Sequence, residues 1–236
     1  MKIKYLITIT AAIIMVNCVC AQNRRWEDID IAGFHRCDTT YRHGYTLIFI
    51  NKDSLLNAVT EQKLKDVFWA VYPKEVKRFN RNSLKTITIV VGTDYKGVAA
   101  TLNGVVKIDQ SWLAKNPEDV DLLTHELMHV VQGYGYNVPA RWLTDGIADY
   151  GRYTFGINNE KSGWTLTPFK AGQSYNNTYR IAARFLVWTE KRKNKKVVEE
   201  LDSALRNNSY QPEIWISLTG KTLDDLWLEY AADPRI

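Results

Sequence analysis

Two of the chain's four histidines stand four residues apart around a glutamate, in the stretch HELMHVVQGYG at residues 125–135. At about 100° per residue, a helix brings His125 and His129 within about 40° of each other and sets Glu126 inside the same arc. Val120, Leu123, Leu127, Val130 and Val131 then fall on the opposite side. The spacing predicts an amphipathic helix that carries its histidines on the polar face. That is the wrong face for core histidines and the right one for metal ligands. Asn116 offers a cap, Pro117, Glu118 and Asp119 suit a first turn and Gly133 a stop, so this helix is expected over about 117–132.

Two imidazoles do not complete a catalytic zinc centre, which takes a third protein ligand and keeps an open position for water. The next stretch, WLTDGIADY, carries Asp145 and Asp149 four residues apart and so on one helix face. A turn through GYGYNVP can fold that face back onto the histidines. One carboxylate then binds the metal while the other orients a histidine through its second ring nitrogen.

Around this pair the chain reads as α+β. YTLIFI at 45–50 is a buried strand, and residues 54–79 carry apolar positions at helical spacing, with Asp53 or Ser54 as a cap and a break expected near Pro73. TITIVVG at 86–92 is a second strand. GVAATLNGVVKID at 97–109 forms a hairpin around Asn103-Gly104. Later helices are expected from Pro139, at 178–191, at 196–206 and at 221–231, so the C-terminal half is mostly helical. HRCDTTYRH, with His35, Cys37 and His43, matches no zinc spacing and reads as a polar loop.

The first 21 residues read as a secretory signal peptide, with Lys2 and Lys4 ahead of an apolar run and small residues before a cut near Ala21. About 12 apolar residues fall short of the ~20 that span a bilayer, so no stable membrane insertion is expected after cleavage. Cleavage leaves a domain over 22–236, with an N-terminal lobe to about 135 and a helical lobe beyond, exported to the periplasm or the extracellular space. Losing two lysines and no acid takes the net charge from +5 to +3, a balance that gives no case for nucleic acid. Only Cys37 then remains, so no internal disulfide can form and stability rests on the core or on a bound metal.

HELMHVVQGYG, GIADYGRY, YRIAARFLVW and LTGKTLDDLWLEY, in that order, resemble the successive blocks of the basic secretory protein family, zinc metallopeptidases with a gluzincin-like active site. The resemblance runs from the second strand to the C-terminus and implies a zincin-like α+β fold. It places Asp145 where that family usually has a glutamate as third ligand, and Asp149 where it has an aspartate bonded to a ligating histidine. Aspartate is one methylene shorter, so either the second helix comes about an ångström closer or the metal is held less tightly. Tyr179 matches the tyrosine ahead of the ARFL block and is implied as an oxyanion donor.

The function that follows is hydrolysis of peptide bonds by a zinc-bound water of pKa lowered toward ~7, with Glu126 as general base. In zincin-like folds the hairpin strand nearest the cleft lends its backbone to an extended peptide by strand addition, and Val98, Ala99, Ala100 and Thr101 are the stretch expected to do so. Trp142, Trp164 and Tyr175 are candidates for side-chain pockets. The alternative is a non-catalytic peptide- or glycan-binding module on the same scaffold, against which the intact Glu126 argues. An aminopeptidase would need an acid for the substrate's free amine, and Glu160 or Asp94 are the candidates.

Overall fold

The structure is a computed structural model, and it describes Trp26, residues 34–135 and residues 137–236. The expected signal peptide lies outside the described residues. In chain order the elements are β1 (Arg36–Arg42), β2 (Tyr45–Asn51), α1 (Ala58–Arg78), β3 (Thr86–Gly92), β4 (Ala99–Leu102), β5 (Val105–Asp109), α2 (Gln110–Lys115), α3 (Leu122–Gln132), α4 (Trp142–Phe155), α5 (Asn159–Ser162), α6 (Tyr179–Arg192), α7 (Val197–Arg206), α8 (Ile214–Thr219) and α9 (Leu223–Ala232), with a 3-10 turn at Tyr175–Asn177. The α+β class expected from the sequence is the class observed.

The strands make one mixed sheet in the order β1-β2-β3-β5-β4. β2, β3 and β5 run parallel in its middle, while β1 and β4 pair antiparallel at the two edges. Alternation sorts the side chains between faces. Leu47, Phe49, Ile87, Ile89, Val91, Val106 and Ile108 join the main core, against Leu64, Phe68 and Val71 of α1 and Leu123, Leu127 and Val131 of α3. The other face buries a smaller cluster of Ile50, Val90 and Val105 beneath Trp26, whose indole N–H donates to Val105 O. Both faces of the central strands are thus covered, which is why β2 and β3 read as apolar runs rather than alternating ones.

Four expectations are corrected. The HRCDTTYRH stretch is not a loop: residues 36–42 form β1, joined to β2 by a two-residue turn at His43-Gly44 with positive φ at both positions. Edge exposure keeps this strand polar, so no hydrophobic pattern announces it. The first helix starts at Ala58, with Asn57 rather than Asp53 or Ser54 accepting the N–H groups of Val59 and Thr60. It also runs through Pro73 without a break, because Val71, Tyr72 and Val76 on both sides of the proline are fully or nearly buried. Finally, Asn116 caps the C-terminus of α2, and α3 begins only at Leu122. The acids expected in its first turn serve tertiary contacts: Glu118 pairs with Lys63 and Asp119 with Arg152, while Asp121, just ahead of the helix, accepts the backbone N–H groups of Ile157 and Asn158.

The C-terminal helices share the core of the sheet. α4 lies between α3 and α6, and the outer helices close over an aromatic cluster in which Trp142 stacks on Trp215 at 6.1 Å and Phe185 packs against both. Among the described residues no helix is long and apolar enough to cross a membrane.

Candidate active site

α3 packs its apolar stripe into the core and turns His125 and His129 toward a cleft of about 1190 Å³, walled by β4 on one side and by α4 and the start of α6 on the other. The two Nε2 atoms face each other at 3.1 Å. Behind them, His125 Nδ1–H donates to Asp149 Oδ1 at 2.7 Å and His129 Nδ1–H to Gln132 Oε1 at 2.8 Å. Gln132 has its orientation fixed in turn, because its amide N–H donates to Thr144 O. With its Nδ1 proton committed, each ring in its neutral form presents an Nε2 lone pair to the cleft.

Asp145 Oδ1 completes the cluster, 3.6 Å from His129 Nε2 and 3.8 Å from His125 Nε2. Tetrahedral zinc with bonds of about 2.0–2.1 Å sets its ligand atoms roughly 3.3 Å apart. The three atoms lie close to that spacing without rearrangement, and two nitrogens with one carboxylate oxygen is a donor set zinc accepts. The short aspartate reaches because α4 is nested close to α3: a Cβ on Gly151 would stand 3.3 Å from Met128 Cγ.

The electrostatics favour positive charge at this point. Burial alone would depress the His125 pKa, but Asp145 and Asp149 outweigh it and raise it to about 10. His129 is held below its ordinary value by burial and by the charge on His125. Burial works to raise Asp145, and the imidazoles hold it down.

Glu126 is buried and points across to β4, where the Thr101 hydroxyl donates to its Oε2 at 2.7 Å. β4 is the outer strand of the sheet. Asp109 N–H donates to Val98 O, so Val98, Ala100 and Leu102 bond inward to β5 while Ala99 and Thr101 turn their backbone groups to the open edge. The Tyr95 hydroxyl donates to Ala99 O at 3.3 Å. Tyr179 opens α6 with its ring 6.1 Å from that of His125 and nearly parallel to it. Its backbone and that of Thr178 have φ of 45° and 55°, a strained pair at the cleft wall. Its hydroxyl pKa is raised first by the Asp145 charge and then by burial.

Other candidates stand apart. Trp142 is core, Tyr175 donates to Asp224 at a second cavity, and only Trp164 of the three lines the main cleft. Asp94 is paired with Lys52, and neither it nor Glu160 is among the cleft residues. Sequence reasoning missed Gln132, legible as an amide three residues after His129, and the side-chain role of Thr101. It also missed Glu75, which is fully buried behind α4 with neither oxygen hydrogen-bonded, so that burial raises its pKa well above the usual range.

No curated protein matches the sequence. Solved structures similar to it include an M1 zinc metallopeptidase from Deinococcus radiodurans, 11% identical with a TM-score of 0.49 over 78% of this chain and 47% of that one. A mutant of that enzyme bound to a Tyr-Ser-Ala substrate is 12% identical, with a TM-score of 0.47 over 84% and 50%. An aminopeptidase N family protein from Idiomarina loihiensis is 13% identical, with a TM-score of 0.41 over 84% and 41%. The chain spans about half the length of these structures or less. The sequence profile of a family described as peptidases of plants and bacteria matches residues 34–230, most of the chain. The protein therefore belongs to the basic secretory protein family of plant and bacterial peptidases.

Proposed function

We propose that the protein is an exported zinc-dependent peptidase whose metal is held by His125, His129 and Asp145. The observation that carries the reading is the convergence of two Nε2 atoms and Asp145 Oδ1, each imidazole anchored from behind through its Nδ1. Zinc bound there supplies a water of lowered pKa and a Lewis acid for the scissile carbonyl.

The chain's own residues do the rest. Glu126 takes the water's proton and passes it to the leaving amine, with the Thr101 hydroxyl holding the carboxylate in place. Asp149 and Gln132 fix the imidazole tautomers. Tyr179, beside His125, donates to the oxyanion. The open edge of β4, through Ala99 and Thr101 with Val98 and Ala100 bonded inward, receives the extended peptide. Among the described residues no acid in the cleft is spare to hold a free amine: Glu126, Asp145 and Asp149 are engaged as described, and Asp119 is taken by Arg152 and Trp112. That favours an endopeptidase over an aminopeptidase.

The test is metal content by plasma mass spectrometry beside cleavage of a peptide library. About one zinc per chain is expected in the wild type and in Glu126→Gln, with a large loss in Asp145→Ala. Wild-type protein that stays metal-free after zinc loading and dialysis would overturn the reading and leave the non-catalytic binding module.

A further inference from the structure

Past the metal-site residues, the cleft opens into a side cavity of about 290 Å³ that shares Trp112, Asp119, Trp164 and Arg180 with it. Two cations line the cleft at this end, and they are not alike. Arg152 is buried, paired with Asp119 and stacked over Trp164 at 4.6 Å, so its charge is spent inside the wall. Arg180 follows Tyr179 directly, is exposed, and leans only on Thr165 O at 3.4 Å, with no carboxylate within ion-pair distance among the described residues. The side cavity adds Lys161, while its one further acid, Glu118, is taken by Lys63 and Asn158. The end of the cleft therefore combines two indole walls with Arg180, which has no carboxylate partner among the described residues, and with Lys161, whose charge also acts on Glu118. A guanidinium presents paired N–H donors that match a carboxylate bidentately.

We infer that this subsite recognises a carboxylate of the peptide substrate, with Arg180 as the specificity-determining residue. The inference rests on the peptidase reading of the site. An acidic side chain and a free C-terminus share the chemistry, and they are separable by capping.

The experiment uses zinc-loaded Glu126→Gln protein, so that peptides bind uncut, and wild type for cleavage. The probes are fluorescent octapeptides, N-acetylated and C-amidated, with Glu, Gln or Lys placed at each position in turn, and the same set with free C-termini. At one position Glu is expected to bind about tenfold or more tighter than Gln. Arg180→Ala should level that difference, and Arg180→Glu should turn it in favour of Lys. Arg180 is exposed with one long hydrogen bond, so neither variant threatens the fold. A gain confined to free C-termini and abolished by Arg180→Ala assigns the subsite to the chain end. Peptides cut by wild type with no Glu–Gln difference, or with one that survives Arg180→Ala, would overturn the inference and leave the peptidase standing. Absence of both binding and cleavage would overturn the peptidase reading itself.

Discussion

At the scale of residues, the site is a set of paired commitments in which each reactive atom is free because its neighbour is tied. Removing a tie should therefore show without touching a ligand. Asp149→Asn is expected to weaken zinc affinity or activity by about 10- to 100-fold, measured by competition with a chelator, because His125 Nδ1 loses its charged acceptor. Glu126→Gln should keep its zinc and lose about 10²- to 10⁴-fold in kcat, since the amide still accepts from Thr101 but cannot take a proton. A Glu126→Gln protein that cleaves peptides at the wild-type rate would remove the glutamate from the mechanism. The shared face of His125, Glu126 and His129 was legible in the sequence because helical geometry fixes their mutual angle. Gln132 and Thr101 were harder, since an amide and a hydroxyl have many ordinary uses and gain meaning only from what stands opposite.

Among the elements, α4 decides whether the centre closes. It presents Asp145 and Asp149 to α3 and packs its other side on α6, and small residues set both distances. A Cβ on Gly146 would stand 2.8 Å from the Ala182 Cβ, closer than side chains approach, so something must shift. Gly146→Ala is expected to cost about 1–3 kcal/mol of stability, read from the denaturant midpoint. An unchanged midpoint would mean that α6 yields freely. The strands β2 and β3 and the β4–β5 hairpin were legible from apolar runs and the Asn103-Gly104 turn. β1 was not, because an edge strand need carry no apolar pattern, and the start of α3 was misplaced because its acidic approach is spent on distant partners.

Across the whole molecule, zinc bound at the proposed centre would link metal to fold, because a ligand that binds only the folded state stabilises it by mass action. Chelation is expected to lower Tm, by about 2.7 kcal/mol of stability from a starting point of zinc at a hundredfold its Kd. A Tm indifferent to zinc and chelator would argue against a folded-state site. A second coupling runs through Tyr134, in the loop that follows α3, whose hydroxyl donates to buried Asp202 of α7. Burial raises the Asp202 pKa to about 6, against the opposing pull of Arg206 and Tyr134. The folded-state pKa thus lies above the unfolded one near 3.8, so the stability this group contributes is present below about pH 4 and lost as pH rises toward 6. Asp202→Asn abolishes that loss, and the Tm of wild type relative to the variant should fall across the window. A difference in Tm that is flat from pH 4 to 6 would refute it.

The sequence by itself determined the spacing of the histidines, the position of Glu126 and the four-residue interval of the aspartates, because a helix converts interval into direction without help from the rest of the chain. It also determined the class, since apolar runs and helical periodicities follow one another in a definite order. Only the tertiary structure decided that Asp145 meets the histidines from α4, that β4 lies at an open edge beside Glu126, and that Arg180 lines the cleft without a carboxylate partner among the described residues. These are distances between segments far apart in the chain, set by how closely helices pack, and no local pattern encodes them.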